Sequence, residues 1–236
     1  MIEPDGWWRD YTGRFGKRPF YQEARIERAA VDLVNEYLEP PPTWPLSDDQ
    51  LDFLADMVAT FDRNRDVSEV GADVDAFTIF ASSARTRPMI VLSSALNNDP
   101  RMKMRRRMTI AHEIGHVVLH QPLYARDPMQ LDLLPEHRTI PNYCSDPMSS
   151  ASVDWCEWQA SYFGGALLAP KDAVMALDVV TLHPTGTVDR TPDALHLIAT
   201  VARHFEISKL AARVRLSQLG LVRSAGDSTL PLSSAG

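Results

Sequence analysis

The stretch Arg107-Met-Thr-Ile-Ala-His-Glu-Ile-Gly-His-Val-Val-Leu-His120 holds the pattern His-Glu-x-x-His at residues 112–116. Residues four apart on an α-helix lie one turn apart on the same face. His112 and His116 can therefore each offer a ring nitrogen to one ion, at about 2.0–2.1 Å for zinc. Glu113 follows the first histidine and points to a neighbouring angle. It is close to the ion without binding it, where a carboxylate can take a proton from a water that zinc activates. Five-residue patterns also arise by chance, and the surroundings argue against chance here. Asp99 and Pro100 supply an N-cap and a first-turn proline, which open a helix over about residues 100–120. Met108, Ala111, His112, Gly115, His116 and Leu119 form one stripe at helical spacing. The histidines thus face the interior, and Gly115 lets a second element approach closely.

A catalytic zinc site takes three protein ligands and keeps a position for water. The candidates for the third are His120, Cys144, Cys156 and Glu157. His120 lies about 12 Å along the axis from His112, too far to share the ion. It is expected behind the ligands or capping the helix. Cys144 falls in a long segment, and a thiolate is an unusual companion of His-Glu-x-x-His. Cys156 is one step round the helix from Glu157. Glu157 itself belongs to a helix expected from about Ser150 and ended by Pro170, on a stripe with Ala160, Ser161, Gly164 and Leu168. Trp155, Trp158 and Tyr162 form a second stripe, read as core packing. A carboxylate among small residues at a helix interface needs a cation, and an ion on His112 and His116 is that cation. Glu157 is the expected third ligand, with one Zn2+ per chain.

The rest of the chain fits a domain built around this helix. Its 236 residues suffice for a substantial core, with 44% hydrophobic and 23% charged residues. The net charge of −7 argues against a general nucleic-acid or membrane-surface binder. No apolar leader or spanning segment stands out, and two cysteines need not be oxidised, so the protein is expected in the cytoplasm. Residues 1–23 read as an irregular aromatic arm with Trp7, Trp8, Tyr11, Phe15, Phe20 and Tyr21, packed on the domain. Residues 24–190 read as the zinc-peptidase domain, 191–223 as a helix-turn-helix-like pair packed on it, and 224–236 as a disordered tail.

Within the domain, Glu23 to Tyr37 has amphipathic spacing, and Ser47-Asp-Asp-Gln50 is a capping box for a helix reaching about Phe61. Val74–Ala81 and Met89–Leu92 read as an antiparallel hairpin. Arg101, Lys103, Arg105, Arg106 and Arg107 crowd the start of the metal helix and are expected to be paired with acids. Gln121 to Ser149, with five prolines, reads as a mobile loop gating the site. Thr191 and Ser208 cap the two final helices, and Gly220 closes the second. The excess of Arg203, Lys209, Arg213, Arg215 and Arg223 there permits DNA contact without requiring it.

Three ordered motifs resemble the ImmA/IrrE metallo-endopeptidases. Members read R-R-F-T-x-A-H-E-x-G-H-x-x-x-H, and here the segment is Arg106-Arg-Met-Thr-Ile-Ala-His-Glu-Ile-Gly-His-Val-Val-Leu-His120. Members then carry E-x-E-A-N-x-F-A-x-x-L-L-x-P, matched by Glu157-Trp-Gln-Ala-Ser-Tyr-Phe-Gly-Gly-Ala-Leu-Leu-Ala-Pro170. The closing segment is similar over Val201–Ser208 and Arg215–Val222. The resemblance implies an α+β fold: a small zincin-like domain with helices on a short, mostly antiparallel sheet. It implies zinc on His112, His116 and Glu157, Glu113 as general base, and cleavage of a helix-turn-helix repressor in stress response or mobile-element transfer. Gln159 replaces the second acid, Ser161 stands where Asn or Asp is usual, and Gly164-Gly165 replaces alanine-rich sequence at up to about 1 kcal/mol per glycine. The aromatic arm and the long loop lie outside the pattern.

Two functions follow from these residues. One is a zinc endopeptidase, with Tyr143 and His137 as candidates for stabilising the oxyanion. The other is a non-catalytic regulator that keeps the metal for structure and binds DNA or a repressor through its last helices. A structural site has no use for Glu113, so the enzyme is the better reading.

Overall fold

The structure, a computed structural model, describes residues 2–10, 16–40, 42–71, 74–81, 86–125, 139–143, 155–182 and 186–223. The chain forms two compact units, Met1–Pro170 and Lys171–Gly236.

In the first unit the arm is not irregular. It is a hairpin of β1 (Gly6–Arg9) and β2 (Lys17–Phe20), antiparallel, with Trp7 opposite Pro19 and Trp8 opposite Arg18. Gly6 and Pro19 hide these strands from a propensity reading. The Trp8 and Phe20 rings stack at 4.1 Å, and a proline is tolerated on an edge strand. α1 (Glu23–Tyr37) buries Ile26, Ala29, Ala30, Leu33 and Val34 as its spacing predicts. α2 (Asp48–Val58) opens on the expected capping box. The Gln50 amide donates to Ser47 Oγ at 3.1 Å, and the Ser47 amide donates to Gln50 Oε1 at 2.8 Å.

α2 stops at Val58, short of Phe61, because the chain turns extended at Ala59 and enters β3 (Thr60–Arg65). Asp62, Arg63, Asn64 and Arg65 give this edge strand a loop-like sequence, and only Phe61 in it is buried. β4 (Val74–Ile79) and β5 (Met89–Ser93) form the expected antiparallel pair, with Phe77 opposite Val91. β3 runs parallel to β5, and β6 (Thr139–Tyr143) runs antiparallel to β4, giving the order β3-β5-β4-β6. Two of the three pairings are antiparallel, consistent with the expected zincin-like α+β domain.

α3 (Ser94–Asn97) and a 3₁₀ turn (Pro100–Met102), capped by Asp99 through the Arg101 amide, lead into α4 (Lys103–Ala125). This helix runs beyond the predicted end at His120 and through Pro122, and β6 lies inside the segment read as one loop. A proline inside a helix costs about 3 kcal/mol. Contacts that periodicity cannot see offset it. Gln121 makes paired bonds with the Ala81 backbone (3.0 and 2.9 Å), and Tyr124 stacks on Phe80 at 4.0 Å. Residues 126–138 and 144–154 of that segment lie outside the described residues.

The basic start of α4 is internally paired. Arg101 meets Asp99, Lys103 and Arg107 meet Asp48, Arg105 meets Asp75, and Arg106 grips both oxygens of Asp52 at 2.8 Å. Arg107 is fully buried and also donates to the Leu46 carbonyl, so it fixes α4 to the first turn of α2.

The second unit contains α6 (Lys171–Met175), α7 (Asp178–Thr181), β7 (Thr187–Val188), α8 (Pro192–His204), α9 (Lys209–Gln218) and β8 (Val222–Arg223). Thr191 caps α8 and Ser208 caps α9, each accepting from the amide three residues on, and Gly220 closes α9 at φ +70. The helix-turn-helix-like pair is therefore present. Two of its cations are engaged within the unit: Arg215 is buried, and Arg213 bonds to Asp189 at 3.1 Å. The tail from residue 224 lies outside the described residues.

The main packing event of the first unit is α4 against α5 (Trp155–Leu168). A Cβ at Gly115 would lie 3.0 Å from the Ala160 carbonyl oxygen and 3.1 Å from Phe163 Cβ. One at Gly164 would lie 3.2 Å from the His112 nitrogen and 3.0 Å from the flexible end of Met108. Gly164, a helix-weakening departure when read from sequence, is the α5 half of this close approach. Alanine improves helix propensity by up to about 1 kcal/mol, but overpacking against backbone costs about 1–3 kcal/mol. Gly115→Ala is therefore expected to destabilise the protein by roughly 1–2 kcal/mol, and Gly164→Ala by less, since the Met108 tip can move. Urea unfolding with an unchanged m-value checks this, and a stabilised Gly115→Ala protein contradicts it.

Candidate metal centre

The close approach of α4 and α5 carries the first turn of α5 onto the histidine stripe. The Nε2 atoms of His112 and His116 lie 2.9 Å apart. Glu157 places Oε2 3.2 Å from His112 Nε2 and Oε1 3.3 Å from His116 Nε2. Ligands about 2.0–2.1 Å from one ion in a tetrahedral shell lie roughly 3.3 Å from each other, so these spacings suit a common ion. Among the described residues, His112, His116 and Glu157 are the one group whose donor atoms could hold a metal. Both histidines are buried, whereas the Glu157 side chain is 32% exposed. Burial pushes the Glu157 carboxyl up, but the His116 and His112 imidazoles outweigh it and hold the group well below the usual carboxylate range.

Glu113 is fully buried one step round α4, where the Thr78 hydroxyl of β4 donates to its Oε2 at 2.6 Å. The sheet thus holds the Glu113 carboxylate, which is not among the clustered donors. Ser161 of α5 stands with its Oγ 3.2 Å from His112 Nδ1, so the shorter side chain still reaches the ring.

His120 sits one turn beyond His116, with the two Nδ1 atoms 3.0 Å apart. Its Nε2 is 3.0 Å from Gln159 Oε1, and the Gln159 amide nitrogen donates to the Pro19 carbonyl at 3.0 Å. Burial, reinforced by the neighbouring His116, pushes the His120 pKa down to about 3, so this ring is neutral.

The sequence-predicted residues His112, His116, Glu157 and Glu113 all meet here. Cys156 is buried on α5 and is not among the donors. Cys144 and His137 lie outside the described residues, and Tyr143 belongs to β6 with its side chain outside them. Sequence reasoning missed Thr78 and the Pro19 carbonyl. The signal for Thr78 is a hydroxyl on a strand face otherwise occupied by Val74 and Ala76. A backbone carbonyl from an arm about 140 residues away leaves no signal of that kind.

The peptidase-family model described as the IrrE N-terminal-like domain (Peptidase_M78) matches residues 71–217, a span that includes Thr78, Glu113 and all three clustered donors. No curated protein matches the chain. The match covers more than half of the chain and contains the β-hairpin, the His-Glu-x-x-His helix and the glutamate helix in order, so the chain belongs to the ImmA/IrrE family of metallopeptidases.

Proposed function

We propose that the protein is a zinc-dependent endopeptidase in which His112, His116 and Glu157 hold the ion and Glu113 is the general base. The observation that carries this is the convergence of two imidazoles and one carboxylate at mutual distances of 2.9–3.3 Å, beside a buried fourth group that is not a donor to the ion. Two imidazoles with one carboxylate is a zinc-type set that keeps a position open. When bound, zinc supplies Lewis acidity to the attacking water and to the scissile carbonyl.

The chain's own groups do the rest. Thr78 fixes the rotamer of Glu113 by donating to Oε2, so the carboxylate is in place before substrate arrives. Glu113 takes the proton of the attacking water and delivers it to the departing amine. Ser161 steadies the His112 ring through Nδ1. The buried walls of α4, α5 and β4 keep these charges poorly solvated and strongly coupled.

The peptidase family supports a protein substrate. A helix-turn-helix repressor, cut to release stress-response or transfer genes in the cytoplasm, is the substrate that the family resemblance supports. Among the described residues no helix is long and apolar enough to cross a membrane.

Purified protein is expected to hold about one zinc per chain. His116→Ala and Glu157→Ala should lose most of the zinc, and Cys144→Ser should not, by metal analysis after dialysis. The reverse pattern at 157 and 144 would overturn the third ligand. Glu113→Gln should keep zinc and fold but lower repressor cleavage by about 10²–10⁴, because an amide cannot accept the water's proton. A Glu113→Gln protein with zinc and full regulatory output would make the function non-catalytic.

A further inference from the structure

Behind His116 runs a chain of polar groups whose hydrogen-bond directions can be worked out from its far end. The Pro19 carbonyl can only accept. The Gln159 side chain must therefore turn its NH2 to it, at 3.0 Å, and this aims Oε1 at His120. An amide oxygen also only accepts, so the hydrogen on the 3.0 Å contact belongs to His120 Nε2. Among the described residues His120 meets only His116 and Gln159 and no carboxylate hydrogen-bonds to it, so its Nδ1 carries the lone pair. His116 Nδ1, 3.0 Å away, must then be the donor. That puts the lone pair on His116 Nε2, which faces His112 Nε2 at 2.9 Å and Glu157 Oε1 at 3.3 Å, as a metal ligand needs. His116, His120 and Gln159 are each 2% exposed or less, so bulk water offers no competing partner.

The end of the chain is itself held. The Tyr21 hydroxyl donates to the Leu119 carbonyl at 2.8 Å, which ties the β2 end to α4. The Arg18 guanidinium lies 4.6 Å from the centre of the Trp155 ring, which ties it to α5. Pro19 sits between these two attachments. A glutamate at position 159 could not donate to Pro19 and would set two acceptor oxygens against each other. The amide at this position and the docked hairpin are thus parts of one arrangement.

We propose that His120, Gln159 and the Pro19 carbonyl form a positioning relay that fixes the ring tautomer and orientation of His116 for metal binding. The N-terminal hairpin, outside the matched residues 71–217, is then a working part of the metal centre. This rests on the reading of His116 as a ligand.

The test uses the full-length protein, zinc affinity by chelator competition, and nitrogen-15 NMR of the histidine rings. Metal-free wild type should show His116 with hydrogen on Nδ1 and His120 with hydrogen on Nε2. His120→Leu and Gln159→Leu should each weaken zinc binding about 10–100-fold, the usual effect of removing a partner of a metal-bound histidine. His120→Asn puts an acceptor oxygen where Nδ1 stood and should restore affinity to within a few-fold of wild type. A simple packing role would not produce that rescue. If His116→Ala keeps its zinc, the ligand reading fails. If His116→Ala loses zinc while His120→Leu and Gln159→Leu bind like wild type, the ligand reading stands and the relay fails. Should the leucine variants not fold, the wild-type spectrum decides alone: a His116 ring with no hydrogen on Nδ1 overturns the relay.

Discussion

Everything at the metal centre depends on how near two helices can come. Glu157 stands beside His112 and His116 only because Gly115 and Gly164 remove the side chains that would hold α4 and α5 apart. Helices packed through larger residues keep axes about 8–10 Å apart. The glutamate would then retreat from the histidines by more than the few tenths of an ångström a metal shell tolerates. Two residues that weaken their own helices locally are what let three donors share one point. The cost in helix propensity, up to about 1 kcal/mol each, is small beside that of leaving a carboxylate facing an apolar helix without a cation.

Charge pairing fixes the other end of α4. Buried Arg107 holds Asp48 and the Leu46 carbonyl, and Arg106 holds Asp52, so the helix is gripped by both the first turn and the body of α2. Its far end is gripped by Gln121 and Tyr124 against Ala81 and Phe80, which directly follow the strand that Thr78 belongs to. Glu113 and the histidines lie between these fixed ends. Rigid support of this kind holds side chains in one geometry.

The sequence makes legible whatever is local and periodic. His-Glu-x-x-His, the stripe that carries it, the capping box at Ser47 and Gln50, and the caps at Thr191 and Ser208 are written in residues a few positions apart. Glu157 was legible too, since a lone carboxylate among small residues asks for a cation. What was hidden depends on contacts from far along the chain. β1 and β2 contain a glycine and a proline, and aromatic stacking and docking make them strands. β3 is mostly charged, and backbone pairing with β5 makes it a strand. α4 passes Pro122 because Ala81 and Phe80 wait beside its last turn. The boundary of α2 slipped because Phe61 satisfies a helical stripe and a strand equally well.

The wide separation of the paired residues also governs when the protein comes into being. His112 meets Glu157 across 45 residues, Tyr21 meets Leu119 across 98, and Gln159 meets Pro19 across 140. Such contacts are reached late, because a long loop must close before any of them stabilises the chain. During synthesis the first hundred residues can form strands and helices, but the centre lacks its carboxylate until α5 has left the ribosome. The hairpin made first cannot take its final seat until then. A nascent or truncated chain therefore carries no assembled donor cluster, and the three donors meet only when the first unit is complete.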